Sequence, residues 1–422
     1  MLDIAAICRA VTALLAYLNH RFVKLPTAIG VRVIALAISL PIVALDVIGL
    51  DYGQRRYEES FLRSIDFSDV LMQGMLSFLL FAGALHVDLS ALKKYRWQVA
   101  TLALAGTALS TAVGLSLWLV LPWLGIKLGL MHGLLFGALI SPTDPIAVMG
   151  ILKSAGAPKN LELVIAGESL FNDGVGVVIF ALLAGMLASG SAPSASAAFE
   201  LLLREAGGGI AFGLVLGALL FYMLKSIDNY QVEVLLTLAA VMGGYALASH
   251  LHVSGPLAMV VAGLMTGNGG GALAMSDSTR HHVDMFWELI DEMLNAVLFV
   301  LIGMEVLLIS FSGPLLLGGA VAIGMTLLAR SLTVGLPVAW LPTLFKLPAG
   351  SARVLVWGGL RGGISVALAL SLPAGPERNI VLALTYAVVV FSILAQGLSI
   401  GHVIRSALAH STSRKAEDTQ KS

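Results

Sequence analysis

The stretch Gly137-Ala138-Leu139-Ile140-Ser141-Pro142-Thr143-Asp144-Pro145-Ile146-Ala147-Val148 decides how this chain folds. It lies inside an apolar run that begins near Gly129 and is long enough to cross a bilayer, which takes roughly 20 residues. Within that run, two prolines enclose a carboxylate. Proline donates no N–H, and its ring clashes with the preceding turn. Pro142 and Pro145 therefore free the carbonyls of Ala138 and Ser141 and open the helix around Thr143 and Asp144. Irregular backbone at membrane depth is tolerated only when buried in protein or facing a cavity. Unwound carbonyls beside a carboxylate suit a small hard cation, which prefers oxygen ligands. The bland alternative is a kink in which Asp144 caps the second half-helix.

The rest of the chain matches a lipid solvent. Of its 422 residues 58% are hydrophobic and 12% charged, against about 25% charged in soluble domains, and the mean hydropathy is +0.92. The formal net charge is zero, which leaves no electrostatic case for nucleic acid or an acidic substrate. Cys8 is the one cysteine, so an internal disulfide and a cysteine metal site are excluded. Met1 to Tyr17 mix Asp3 and Arg9 into an apolar stretch without a small-residue cleavage site and read as a retained first helix.

Spanning segments begin near Ile4, Thr27, Asp66, Val99, Gly129, Leu161, Ala197, Gln231, Val253, Trp287, Gly313, Ala352 and Asn379. That makes about 13 spans in an all-α polytopic membrane protein. They form one transmembrane domain over residues 1–410, followed by a short polar tail at 411–422. Lys and Arg gather in one set of loops, including Lys93, Lys94, Arg96, Lys153, Lys159, Lys225 and Arg280. Those loops and the C-terminus should be cytoplasmic, and with an odd span count the N-terminus lies outside.

The two halves resemble each other. Leu79 to Gly83 is echoed by Phe299 to Gly303, Ile146-Ala147-Val148 by Ile364-Ser365-Val366, and Val178 to Ala184 by Val389 to Ala395. The partners lie seven spans apart. An odd offset makes the repeats inverted, as in many secondary transporters.

Ionisable groups at membrane depth are functional candidates by default. Gly167-Glu168-Ser169-Leu170-Phe171-Asn172-Asp173-Gly174 places Glu168 with Asn172, and Ser169 with Asp173, four residues apart. Such pairs form adjacent ridges on one side of a helix. Gly167, Gly174 and Gly176 admit close neighbours. Burial favours a protonated carboxyl and a bound cation favours the ionised form, so one carboxylate can exchange the two; Asp173 is the candidate. The alternative is a structural polar network.

Trp357-Gly358-Gly359-Leu360-Arg361-Gly362-Gly363-Ile364-Ser365 reads as a second broken span, because four glycines weaken a helix. Arg361 needs a counter-charge. Glu168 is the most economical one, leaving Asp144 and Asp173 for the transported ion. Arg330 is a second intramembrane cation with no assigned partner, and snorkelling to an interface competes with a functional role. Glu305 and Asp291-Glu292 read as interfacial. The histidines mostly sit near loop boundaries and read as solvated. Gly267-Asn268-Gly269-Gly270-Gly271 fits neither a dinucleotide fingerprint nor a phosphate loop and reads as a flexible turn.

Together, Ser141 to Pro145, Gly167 to Gly174 and Gly359 to Gly363 resemble the NhaP-type sodium/proton antiporters, bacterial relatives of the animal NHE exchangers. Leu80 to Leu85 and Ala329 to Val334 are similar as well, and the likeness runs from about Thr27 to Ile404. It implies an NhaA-like antiporter fold with two crossed broken helices, and a homodimer in a bacterial inner membrane. The moving core lies mainly at 66–188 and 287–404, with alternating access against the dimer interface. Asp173 would be the Na⁺ and H⁺ carboxylate. Asp144, Thr143 and Ser169 would complete the site, Asn172 would fix the crossing, and Glu168 with Arg361 would form a structural ion pair. The Asn172-Asp173 pairing is similar to the mostly electroneutral branch, one Na⁺ against one H⁺. No cofactor is expected.

Within this class Li⁺ or K⁺ could join or replace Na⁺. The enzyme-class rival is an intramembrane aspartyl protease with Asp144 and Asp173 as a dyad sharing a proton; Asp144 between prolines and a nearby arginine argue against it. A rhomboid-type serine protease lacks a glycine two residues after Ser169 and an obvious histidine. A cation channel would need a continuous lined path.

Overall fold

Helices are the regular elements of the computed structural model, which describes residues 2–25, 27–47, 74–189, 203–270, 274–306, 313–341 and 350–407, with 200, 345, 347 and 348 besides. α1 (Leu2–Leu18) and α2 (Thr27–Val47) come first. α3 (Leu76–Leu85), the short surface helix α4 (Leu89–Lys94) and the long α5 (Arg96–Leu124) follow. Then come α6 (Leu130–Leu139), α7 (Ile146–Ser154) and α8 (Lys159–Ser189). α9 (Leu203–Lys225), α10 (Tyr230–His250), α11 (Gly255–Met265) and α12 (Asp277–Val306) continue the bundle. α13 (Gly313–Trp340), α14 (Ser351–Trp357), α15 (Gly363–Leu370) and α16 (Pro376–Ala407) complete it.

Both expected breaks are present. The span from Gly129 divides into α6 and α7, with non-helical backbone at 142–145. The glycine-rich span divides into α14 and α15 around Gly358 to Gly362. Ile146-Ala147-Val148 and Ile364-Ser365-Val366, matched above by sequence, both fall in the first turn of the second half-helix.

Among the described residues six helices are long and apolar enough to cross a membrane: α5, α8, α9, α10, α13 and α16. α3 and α6 are shorter apolar helices, as is the 29–38 part of α2. The spans expected to begin near Asp66 and Ala197 start outside the described residues, as does the polar tail. Large apolar side chains face outward, among them Val215 on α9, Leu235 on α10 and Trp340 at the end of α13. In water they would be costly, and in lipid they are matched.

Polar anchors tie the bundle together. Trp287 of α12 is fully buried, packs 4.7 Å from the Phe81 ring of α3 and donates its indole N–H to Thr237 of α10 at 3.1 Å. The expected flexible turn at Gly267-Asn268 is instead a helical extension of α11 that clamps the end of α3. Asn268 donates to the Val87 carbonyl at 2.8 Å and accepts from the Leu89 N–H at 2.6 Å. A Cβ on Gly267 would lie 2.0 Å from the Leu85 carbonyl oxygen, so glycine here permits close packing and not flexibility.

Candidate cation-binding site

The two interrupted helices cross where both are unwound. The Asp144 N–H donates to the Leu360 carbonyl at 2.8 Å, a bond available because proline and glycine have removed the helical partners. A Cβ on Gly362 would stand 3.0 Å from the Asp144 Cβ, so a side chain here would press the two segments apart. The Arg361 guanidinium lies across the other segment and donates to the Ser141 carbonyl at 2.6 Å and the Pro142 carbonyl at 3.1 Å. The Ser141 carbonyl, freed by Pro145 and expected to be open to a cation, is therefore occupied by a protein cation. The Arg361 N–H is held in turn by the Ser392 hydroxyl at 2.8 Å.

α8 passes beside this crossing and contributes the polar ridge. Asn172 donates to the Thr143 hydroxyl at 2.9 Å, and the Thr143 and Ser169 hydroxyls are 2.9 Å apart. The lack of a side chain at Gly176 lets the Pro142 ring lie against the helix, 2.9 Å from where a Cβ would be. Thr143, Ser169, Asn172 and Asp173 are thus brought together, all buried. Asp173 is 9% exposed and its Oδ1 has no hydrogen-bond partner among the described residues. A buried, unsatisfied carboxylate oxygen is costly, and a proton or a cation would relieve that cost.

Glu168 does not take Arg361. Its carboxylate forms a bidentate pair with Arg330, whose Nη1 meets Oε1 and whose Nη2 lies 2.8 Å from Oε2. Arg330 also donates through Nε and Nη2 to the Leu355 carbonyl at 3.2 and 3.1 Å. It is 7% exposed, so it does not snorkel. The expected pairing failed because Arg361 is consumed by carbonyls at the crossing while Arg330, at the π-helical turn of α13, points across to α8. Bidentate geometry makes a planar guanidinium the fitting partner.

Asp144 has a partner that the sequence reading missed. Arg32 of α2, 3% exposed, lies 2.5 Å from its Oδ2. An arginine five residues inside an apolar span was itself the signal.

Asp144 and Asp173 both face a cavity of about 130 Å³, shared with Asp291 and Asn295 of α12 and with Leu80 and Val87 of the α3 segment. Asp291 was expected at an interface; α12 instead carries it into this cavity. The Glu305 side chain lies outside the described set. From Asp173 the lining runs through Leu170 and Ala166 toward Lys159, and through Gly83 and Val87 toward Lys93. The cavity therefore extends toward the basic-loop end.

A family model described as sodium/hydrogen exchanger, transmembrane, matches residues 10–406. The chain belongs to the sodium/hydrogen exchanger family. It is 54% identical to the Na⁺/H⁺ antiporter NhaP of Pseudomonas aeruginosa, over 99% of each chain. It is 36% identical to the Na⁺/H⁺ antiporter NhaH of Halobacillus dabanensis, over 90% of this chain and 95% of that one. The fold matches the sodium proton antiporter MjNhaP1 of Methanocaldococcus jannaschii with a TM-score of 0.75 at 21% identity, covering 96% and 98% of the two chains. Exchangers are transporters and not enzymes.

Proposed function

We propose that the chain is a secondary antiporter that exchanges Na⁺ for H⁺, with both occupants competing for Asp173. The observation that carries this reading is the buried Asp173 oxygen with no hydrogen-bond partner among the described residues, facing a cavity at the crossing of two unwound helices. The carboxylates of Asp173 and Asp144 and the hydroxyls of Thr143 and Ser169 are hard oxygen donors of the kind Na⁺ prefers. Glu168 pairs with Arg330 and Asp144 with Arg32, so Asp173 is the carboxylate of these three left for the exchanged ions, and one Na⁺ against one H⁺ is the stoichiometry of this proposal. The cavity gives access from the basic-loop end, which is the cytoplasmic face by the positive-inside rule. Alternating access then requires the crossing to move against the surrounding helices. The protein works as a homodimer in the bacterial inner membrane, with its C-terminus in the cytoplasm.

The test is proton flux in liposomes under an inward Na⁺ gradient, with and without a K⁺/valinomycin clamp. Na⁺-driven proton efflux that the clamp leaves unchanged and that Asp173→Asn abolishes is the expected outcome. Flux driven by K⁺ but not Na⁺ overturns the substrate assignment and keeps the exchanger. Absence of coupled proton movement in folded protein overturns the exchange itself.

A further inference from the structure

The exchange described above leaves Arg32 and Asp291 without a task. Arg32 comes from α2, which takes no part in the crossing, and supplies Asp144 with the positive charge that a transported cation would otherwise supply. Three observations make this contact exchangeable. The cavity of about 130 Å³ lies beside Asp144, whose side chain keeps 10% exposure. α12 packs along α2 and places Asp291 in the same cavity, within electrostatic reach of both Asp144 and Arg32. Asp291 is held through its side chain by Asn295 of its own helix, whose Nδ2 donates at 3.2 Å, and no ion pair engages it among the described residues. Glu288 and Glu292 are the further carboxylates near it, and Arg32 is the cation among the charged groups acting on it. Asp144 and Asp291 line one cavity, and Arg32, bound to the first from the neighbouring α2, is within electrostatic reach of the second, so one guanidinium has two alternative carboxylate partners and the element two discrete arrangements.

We propose that Arg32 is an internal substitute cation on Asp144, and that Asp291 is the carboxylate to which it transfers when a transported ion reaches the Asp173–Asp144 site. The proposal rests on the exchange reaction proposed above. Arg32 is a positioning residue: it never touches the path of the proton, and it competes with Na⁺ for Asp144. Asp291 lowers the cost of displacing it. The transported ion can shift this equilibrium only by its differential affinity for the two arrangements, so apparent Na⁺ affinity reports the switch directly.

The experiment compares the full chain with Arg32→Gln, Asp291→Asn and the double variant, each shown monodisperse before reconstitution. The readouts are half-saturating Na⁺ and maximal rate of Na⁺-driven proton flux at one fixed pH, and half-maximal Na⁺ protection against heat in detergent, which needs no transport. Arg32→Gln should lower half-saturating Na⁺ by roughly 5- to 150-fold, the range of a typical coupling between sites. Asp291→Asn should raise it, and in the Arg32→Gln background should do nothing. Unchanged or weaker Na⁺ affinity in Arg32→Gln, or an Asp291→Asn effect that persists without Arg32, overturns the proposal. Should Arg32→Gln not fold, Asp291→Asn alone decides, since an unchanged or lowered half-saturating Na⁺ overturns it. A wild-type chain without coupled flux sinks the exchange reading, while the heat-protection series still judges Arg32.

Discussion

The Arg330 guanidinium grips both carboxylate oxygens of Glu168 across 162 residues of sequence, joining α13 to α8 inside the membrane core. Both side chains are buried, at 8% and 1% exposure. Removing one partner of such a pair strands a charge and costs about 3–5 kcal/mol. Glu168→Gln and Arg330→Gln should each lower thermal stability on that scale, and the double variant should recover part of the loss. The same cycle between Glu168 and Arg361 should show much weaker coupling. Melting curves of the four purified proteins check this, and equal coupling to Arg361 would disprove the assignment.

Gly362 permits the crossing itself. Adding a Cβ 3.0 Å from the Asp144 Cβ forces the two unwound segments apart or strains them, at about 1–3 kcal/mol. Gly362→Ala should therefore depress proton flux beyond what its melting temperature explains. Normal flux at normal stability would show that the crossing tolerates the extra atom.

Asn268 joins the end of α11 to the turn after α3 through Val87 and Leu89, and bonds the Leu264 carbonyl as well. Its loss leaves backbone groups unsatisfied at about 1–3 kcal/mol. Asn268→Ala should raise hydrogen exchange over residues 86–94 while leaving the 142–145 segment protected. Uniform protection across both segments would refute a local clamp.

Asp88 caps α4 by accepting from the Ser90 and Ala91 N–H groups at 2.8 and 3.1 Å. The Ser90 hydroxyl, with the Ala91 N–H next, holds its carboxyl below the ordinary value of 3.8. A depressed folded value means the cap contributes fully above the unfolded value and is lost as pH falls through the folded one. Hydrogen exchange over α4 should be flat from about pH 8 to pH 5 after correction for intrinsic rates, and loosen below about pH 4. Asp88→Ala should cost about 1 kcal/mol locally and abolish the transition. A transition that survives in Asp88→Ala would assign it to another group.

What could be read before folding was local. The break at Pro142 and Pro145 follows from a missing N–H and a ring clash, and the break at Gly358 to Gly363 from the weak helical preference of glycine; both are properties of single residues. The grouping of Thr143 with Ser169, Asn172 and Asp173 was half legible, since helix periodicity placed the last three on one side and left only the contact with Thr143 to be found. The tight Asn268 clamp was misread because a run of glycines has the same composition whether it bends freely or lets two backbones touch.

By itself the sequence determined that this chain lies in lipid, that two of its helices are interrupted, and that Asp144, Asp173 and Glu168 carry intramembrane charge. Only the tertiary structure decided which cation each carboxylate meets: Arg32 for Asp144, Arg330 for Glu168, and no ion-pair partner for Asp173 among the described residues. It also took Arg361 out of the ion pairs by giving it the carbonyls of Ser141 and Pro142. The reason is physical. Hydropathy and backbone preference act over a few residues, whereas an ion pair depends on which helices pack together and in what register, and one helical turn decides between two arginines of equal charge.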